Sequence, residues 1–125
     1  KKLLQLQQTA KVQEGVRWFR APHGKFSPTM EQILREKGLR NVMCDTYACC
    51  PVIQDGNFIG AHLSQRAENG SIILVHMPER CMRQWCMLAL QRLLHGLKEK
   101  GLCAVSIGDL AARAGHEDRP SSSWA

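Results

Sequence analysis

The chain has 125 residues, enough for one small domain with a core but short for most enzymes built of alternating strands and helices. Its hydrophobic share of 44% is that of an ordinary globular chain, and no apolar stretch approaches the roughly 20 residues that span a bilayer, so no membrane crossing is expected. The formal net charge of +6 admits an anionic partner, but Lys and Arg are scattered, without a run or interleaved aromatics, which argues for a solvated surface and against nucleic acid.

The elements follow in chain order. Lys2 to Glu14 carries Leu3, Leu6 and Ala10 on one face and stops at Gly15, which predicts a helix and not a signal peptide. "VRWF" is a short strand. In "SPTMEQILREKG", Ser27 is the expected N-cap, Pro28 the first helical residue and Gly38 the stop, with Met30, Ile33 and Leu34 as the buried stripe. "LRNVMC" is the second strand and ends at Asp45, and "TYACCPVIQDG" is a loop. A helix covers roughly Asn57 to Ala67, "ENG" turns the chain, and "SIILVH" is a strand buried on both faces. Arg80 to Lys100 is the longest helix, with Cys86, Leu90, Leu93, Leu94 and Leu97 at helical spacing and Gly101 as terminator. "LCAVSI" is the fourth strand, "GDLAARA" starts a last helix, and residues 114–125 have the composition of a flexible tail. Alternation of this kind, with near-continuous apolar strands, predicts an α/β fold with a parallel sheet.

Six cysteines are present, none in a C-x-x-C pair, so their spacing fits no zinc pattern. Several fall on faces expected to be buried, where a free thiol acts as a small apolar group. Reduced thiols are expected, and with them a non-secreted context.

In parallel α/β folds the C-terminal ends of the strands share one edge, and sites form there. Arg20 and His23 follow the first strand, Asp45 the second and His76 the third. Each has a plainer reading: a surface cation, a turn residue, a loop cap and a satisfied core histidine. Their alignment on one edge favours a site containing Arg20, Asp45 and His76.

Two stretches resemble the polysaccharide deacetylases, the NodB-homology or carbohydrate esterase family four proteins. "WFRAPHG" is similar to the third family motif, and "SIILVH" to the fifth, Leu-x-His at a strand end. The similarity runs from about Val16 to Ala112, within a matching order of helices and strands. It implies a partial (β/α) barrel over residues 1–113 and hydrolysis of N-acetyl or O-acetyl groups on a sugar polymer, with a zinc-like divalent cation and an Asp base. By that resemblance Arg20 orients the base, and the His23 backbone N–H faces the oxyanion. Leu74 lines the acetyl pocket, and His76 is the general acid that protonates the leaving amine. The partner implied is an acetylated polysaccharide or oligosaccharide.

The first two motifs, which supply the base and the metal ligands, have no counterpart here: the chain holds no Asp-Asp pair and no His-x-x-x-His. His62, His95 and His116 lie at no ligand spacing, so no metal ligand is assigned. The chain therefore reads as the C-terminal portion of such a domain, with association through open strand edges expected. In the fourth motif, where the family has an Asp that tunes the catalytic His, "CDTYACCP" puts Cys49 or Cys50, with Asp45 as a substitute. A neutral thiol holds an imidazolium less well than a carboxylate does. Met77 stands where an Asp often follows the His. The alternatives are a degenerate relative that binds glycan or a protein partner without turnover, and an unrelated α/β module that binds an anionic ligand.

Overall fold

The structure, a computed structural model, describes residues 16–115. The expected helix over Lys2 to Glu14 and nearly all of the expected tail lie outside the described residues. The chain divides after Met43 into two compact units, a boundary absent from the sequence reading, and each is described by itself.

The first unit contains β1 (Trp18–Phe19), a 3-10 turn (Pro22–Gly24), α1 (Pro28–Glu36) and β2 (Arg40–Asn41). The two strands pair in parallel, Trp18 opposite Arg40 and Phe19 opposite Asn41. α1 forms for the reasons its sequence gives. The Ser27 hydroxyl accepts the Met30 N–H at 3.2 Å, Pro28 opens the first turn, and Glu31 pairs with Arg35 one turn on, at 2.9 Å. Of the expected apolar stripe, Leu34 is buried, Met30 is half-buried and Ile33 is exposed.

The second unit contains β3 (Thr46–Tyr47), α2 (Gly56–Arg66), β4 (Ile73–Leu74), α3 (Trp85–Glu99) and α4 (Ile107–Arg113). β3 and β4 pair in parallel, Thr46 opposite Ile73 and Tyr47 opposite Leu74. The described residues thus form two separate two-stranded parallel sheets, and no closed barrel is seen among them. β3 lies inside the stretch expected to be a loop. Its neighbours Thr46 and Tyr47 are both strand-forming types, and Thr46 and Ala48 alternate onto the core while Tyr47 and Cys49 face outward.

α2 packs along α3, and this contact is the body of the core: Ile59, Leu63 and Ala67 from one side meet Cys86, Ala89, Leu93 and Leu97 from the other. Asp55 caps α2, accepting from the Asn57 and Phe58 N–H groups at 2.9 and 3.0 Å. Gly56, Gly60 and Ser64 then recur every four residues and form a ridge with almost no side chain. That ridge lets the backbones approach closely. A Cβ at Gly60 would sit 2.7 Å from the Ala89 carbonyl oxygen, and one at Gly96 would sit 2.5 Å from Ser64 Oγ.

Two expectations for α3 need correction. The helix begins at Trp85, not Arg80, because positive φ angles at Cys81 and Arg83 hold residues 79–84 as a turn, fastened by a Glu79–Met82 bridge and a Glu79–Arg83 ion pair. The buried stripe is Cys86, Ala89, Leu93 and Leu97, leaving Leu90 and Leu94 39% and 47% exposed. The small Ala89, not Leu90, meets the glycine ridge, and so the helix is turned toward it. The expected strand "LCAVSI" is also not formed. No described strand lies beside residues 102–105 to pair with their backbone, and Ser106 instead caps α4, accepting the Asp109 N–H at 3.1 Å.

One sequence pattern ends two helices alike. "LREKGL" (Leu34 to Leu39) and "LKEKGL" (Leu97 to Leu102) each close with Gly in the left-handed region, φ +65° at Gly38 and +70° at Gly101. The following Leu N–H returns to the first Leu carbonyl at 2.8 Å in both, a Schellman closure with a Leu–Leu contact. At the second site Lys100 does more. Its Nζ donates to the Ser64, Gln65 and Ala67 carbonyls at 2.9, 2.9 and 2.7 Å, satisfying the open C-terminal end of α2. Replacing Lys100 by Met keeps the aliphatic stem and removes the cation. The expected loss is about 1 kcal/mol of stability, read from a urea midpoint at constant slope.

Candidate functional site

The site residues of the second unit gather around β4. Side chains alternate across a strand, so Ile73 and Val75, which pack on the helical core, define the covered face. β4 itself ends at Leu74, and Leu74 and the nearby His76 are both half-buried. Tyr47, the register partner of Leu74, joins them, with its ring 6.2 Å from the His76 imidazole at an interplanar angle of 57°. The stretch expected to be a strand buried on both faces is half-buried along its length.

His76 is anchored by the chain that follows β3. Cys50, itself 1% exposed, has its Sγ 2.9 Å from His76 Nδ1, and the same sulfur accepts the His76 backbone N–H at 3.4 Å. The Trp85 indole N–H donates to the Cys50 carbonyl at 2.8 Å and pins that residue from the start of α3. Three proton arrangements satisfy the contact. The thiol donates to Nδ1 of a neutral ring whose proton sits on Nε2, or Nδ1–H donates to sulfur from the other neutral tautomer or from the imidazolium. Nε2 carries a proton in the first and the last of these, and no described hydrogen bond occupies it.

The Tyr47 phenol and the Cys86 thiol are both shifted toward their neutral forms. Burial, a hydrogen bond with Cys49 and the neighbouring Cys49, Cys50 and Cys44 thiols push the Tyr47 hydroxyl above its ordinary value. Burial and the adjacent Cys50 push the Cys86 thiol up, with Arg83 acting weakly in the other direction. All six cysteines are free.

Asp45 is at the other end of this strand pair. Its carboxylate accepts the Ile72 N–H at 3.1 Å and the Thr46 hydroxyl at 2.8 Å, which ties the beginning of β3 to the beginning of β4. Ile72 and His76 are four residues apart, about 13 Å along an extended chain. Asp45 thus starts a strand where it was expected to end one, and the structure does not bring it to His76. Of the two cysteines considered for the tuning position, Cys50 reaches the ring and Cys49 points to Tyr47.

Arg20 and His23 belong to the first unit. The Arg20 Nε donates to the Val42 carbonyl at 3.3 Å, just past β2, and His23 is an exposed left-handed residue (φ 57°, ψ 15°) at the centre of the 3-10 turn. The other described histidines have local roles: His62 stacks on Phe58 with centroids 5.7 Å apart, and His95 approaches Glu99 at 3.6 Å on α3.

No protein-family model matches the chain, and no curated protein matches it. Among the described residues, no group of three or more His, Cys, Asp or Glu side chains could hold a metal ion, so these residues do not fit the divalent cation that the sequence resemblance implies. No described helix is long and apolar enough to cross a membrane. What the arrangement can supply, when Nε2 is protonated, is a proton there, near the aliphatic Leu74 and the aromatic Tyr47. Tyr47 and Trp85 were not singled out from the sequence. The signal for Tyr47 was its place in a Thr-Tyr pair, and for Trp85 there was none, since its partner is 35 residues away.

Proposed function

We propose that this chain is the C-terminal portion of a polysaccharide deacetylase domain of the NodB-homology type, a partial (β/α) barrel that receives an acetylated sugar beside Leu74 and His76. His76 protonates the leaving amine from Nε2, and Leu74 lines the acetyl pocket. Asp45 is left out of the chemistry and acts as a clasp between strands. The observation that carries the reading is the seat of His76. A residue from the loop after β3 meets Nδ1 of the His two residues past β4, which is where the fourth motif of that family has its tuning carboxylate.

The chemistry derived for these residues is orientation and proton delivery. Cys50 holds Nδ1, which leaves Nε2 as the ring nitrogen for the substrate. Tyr47 adds an apolar surface beside the ring.

Titrating the chain with chitin oligomers, followed by NMR, tests the reading. The side-chain signals of Leu74, His76 and Tyr47 are expected to move together in a saturable way, and fully deacetylated oligomers are expected to move them less. Shifts confined to other residues would overturn it.

A further inference from the structure

Phe58 and Tyr47 each meet a histidine ring, and they differ in what lies on them. The His62 imidazole is stacked on Phe58, 16° from parallel with centroids 5.7 Å apart. Tyr47 meets the His76 imidazole at 57° and 6.2 Å, a tilted contact, so among the described residues no ring lies flat on the phenol. Tyr47 is 40% exposed and stands opposite Leu74 across the strand pair. Local sequence sets this position: Thr46 is buried, so the alternation of β3 turns the next residue away from the core.

A half-exposed aromatic surface beside an imidazole suits one kind of group. A pyranose in the glucose configuration has its ring substituents equatorial, so each face is a plate of axial C–H groups. Laying that plate on an aromatic ring removes apolar surface from water on both sides and sets the C–H hydrogens against the negative ring face. An open-chain acetamide has no such plate. The spacing also suits a sugar. With carbons in contact at about 4 Å, a substituent nitrogen about 3 Å out from the pyranose centre can come within hydrogen-bond reach of an imidazole 6.2 Å from the phenol. We infer that Tyr47 makes the site selective for a ring sugar: one pyranose lies on its phenol face, and this sets the acetamide of that sugar beside His76. The inference rests on the deacetylase reading and adds to it a specificity residue, one that holds the sugar and moves no proton.

The test is an NMR titration of the chain with chitotriose, read on both molecules. In the unmutated chain the axial C–H protons of one sugar residue are expected to move upfield under the phenol ring current, and the Tyr47 ring protons to pass saturation to them. N-butylacetamide, which carries the same acetamide on an open chain, is expected to bind at least about tenfold more weakly. Tyr47→Phe keeps the aromatic face and is expected to keep the upfield shifts, with affinity within about twofold. Tyr47→Val keeps a strand-forming side chain without that face, and is expected to lose the upfield shifts and about tenfold in affinity. Should Tyr47→Val fail to fold, the upfield shifts in the unmutated chain and the affinity of Tyr47→Phe decide the matter. Equal binding of the two probes, absent upfield shifts, or an unchanged affinity in Tyr47→Val would overturn the inference. Saturable shifts at Leu74 and His76 in the same titration would then leave the deacetylase reading standing, whereas no such shifts with chitotriose would overturn both.

Discussion

Gly60→Val is expected to unfold the second unit. A Cβ at this position would come 2.7 Å from the Ala89 carbonyl oxygen and 3.1 Å from the Leu93 nitrogen, and would collide with the Arg92 Cβ. Two of these three are backbone atoms in the middle of α3, so no rotamer change relieves the clash; the helices must separate. Separation would open the contact between Ile59 and Leu63 on one side and Ala89 and Leu93 on the other, all nearly or fully buried. Removing a glycine from a helix gains at most about 1 kcal/mol in backbone propensity, less for the β-branched Val. Overpacking a filled contact costs about 1–3 kcal/mol, and more when only backbone can move. The net loss expected is at least about 3 kcal/mol, a large share of the 5–15 kcal/mol that holds an ordinary domain. Helical circular dichroism should fall at room temperature, or the urea midpoint should drop steeply. Ala61→Val, one residue on and exposed, serves as the control, with a loss of about 0.6 kcal/mol from propensity alone. If the two variants melt alike, the close approach of α2 and α3 is not real.

That ridge also marks the limit of what the sequence disclosed. Ser27, Pro28 and Gly38 bound α1 as read, because capping and left-handed closure are local and their chemistry is carried by single residues. The bounds of α2 were legible within one residue for the same reason. The pairing of Gly56, Gly60 and Ser64 with Ala89 and Gly96 was not, since glycines in a helix pattern carry no apolar signal and their partner lies about 30 residues away. The rotation of α3 follows from that pairing, and with it Leu90 and Leu94, on the apolar repeat, are left partly exposed. The fourth strand failed differently. "LCAVSI" has the composition of a strand, but a strand exists only when a neighbour takes its backbone groups. At the site, the His76 ring was legible as a candidate, but its seat on Cys50 was not, since that contact spans 26 residues. Asp45 did not fall where the reading had it, because the chain starts a new strand at Thr46 and the carboxylate ends up at its head. Cys50 and Cys49 were equivalent in sequence; only the turn of the backbone after Ala48 selects one of them.

On the proposed deacetylase reading, His76→Asn is expected to lower acetate release from chitin oligomers by about 10²–10⁴-fold in metal-loaded protein, the range that a positioned proton donor contributes. Asn is chosen because its side chain still places a hydrogen-bonding group near Cys50 without titrating in the working range, so the fold of the Cys50 loop is retained while proton transfer is lost. KM should change little, since the ring acts on the leaving group in the transition state and not on the bound sugar. Cys50→Ala separates orientation from proton transfer. It removes both contacts to His76 but leaves the imidazole, so kcat should fall by a smaller factor, about tenfold, and neutral ring tautomers should mix in nitrogen NMR spectra of the histidine. The two variants must order in this way, with the ring worth more than its anchor. Equal losses would mean that Cys50 acts through the core rather than through Nδ1. An unchanged rate in His76→Asn would remove His76 as the acid, and with it the link between the open face of β4 and the cleavage of an acetyl group.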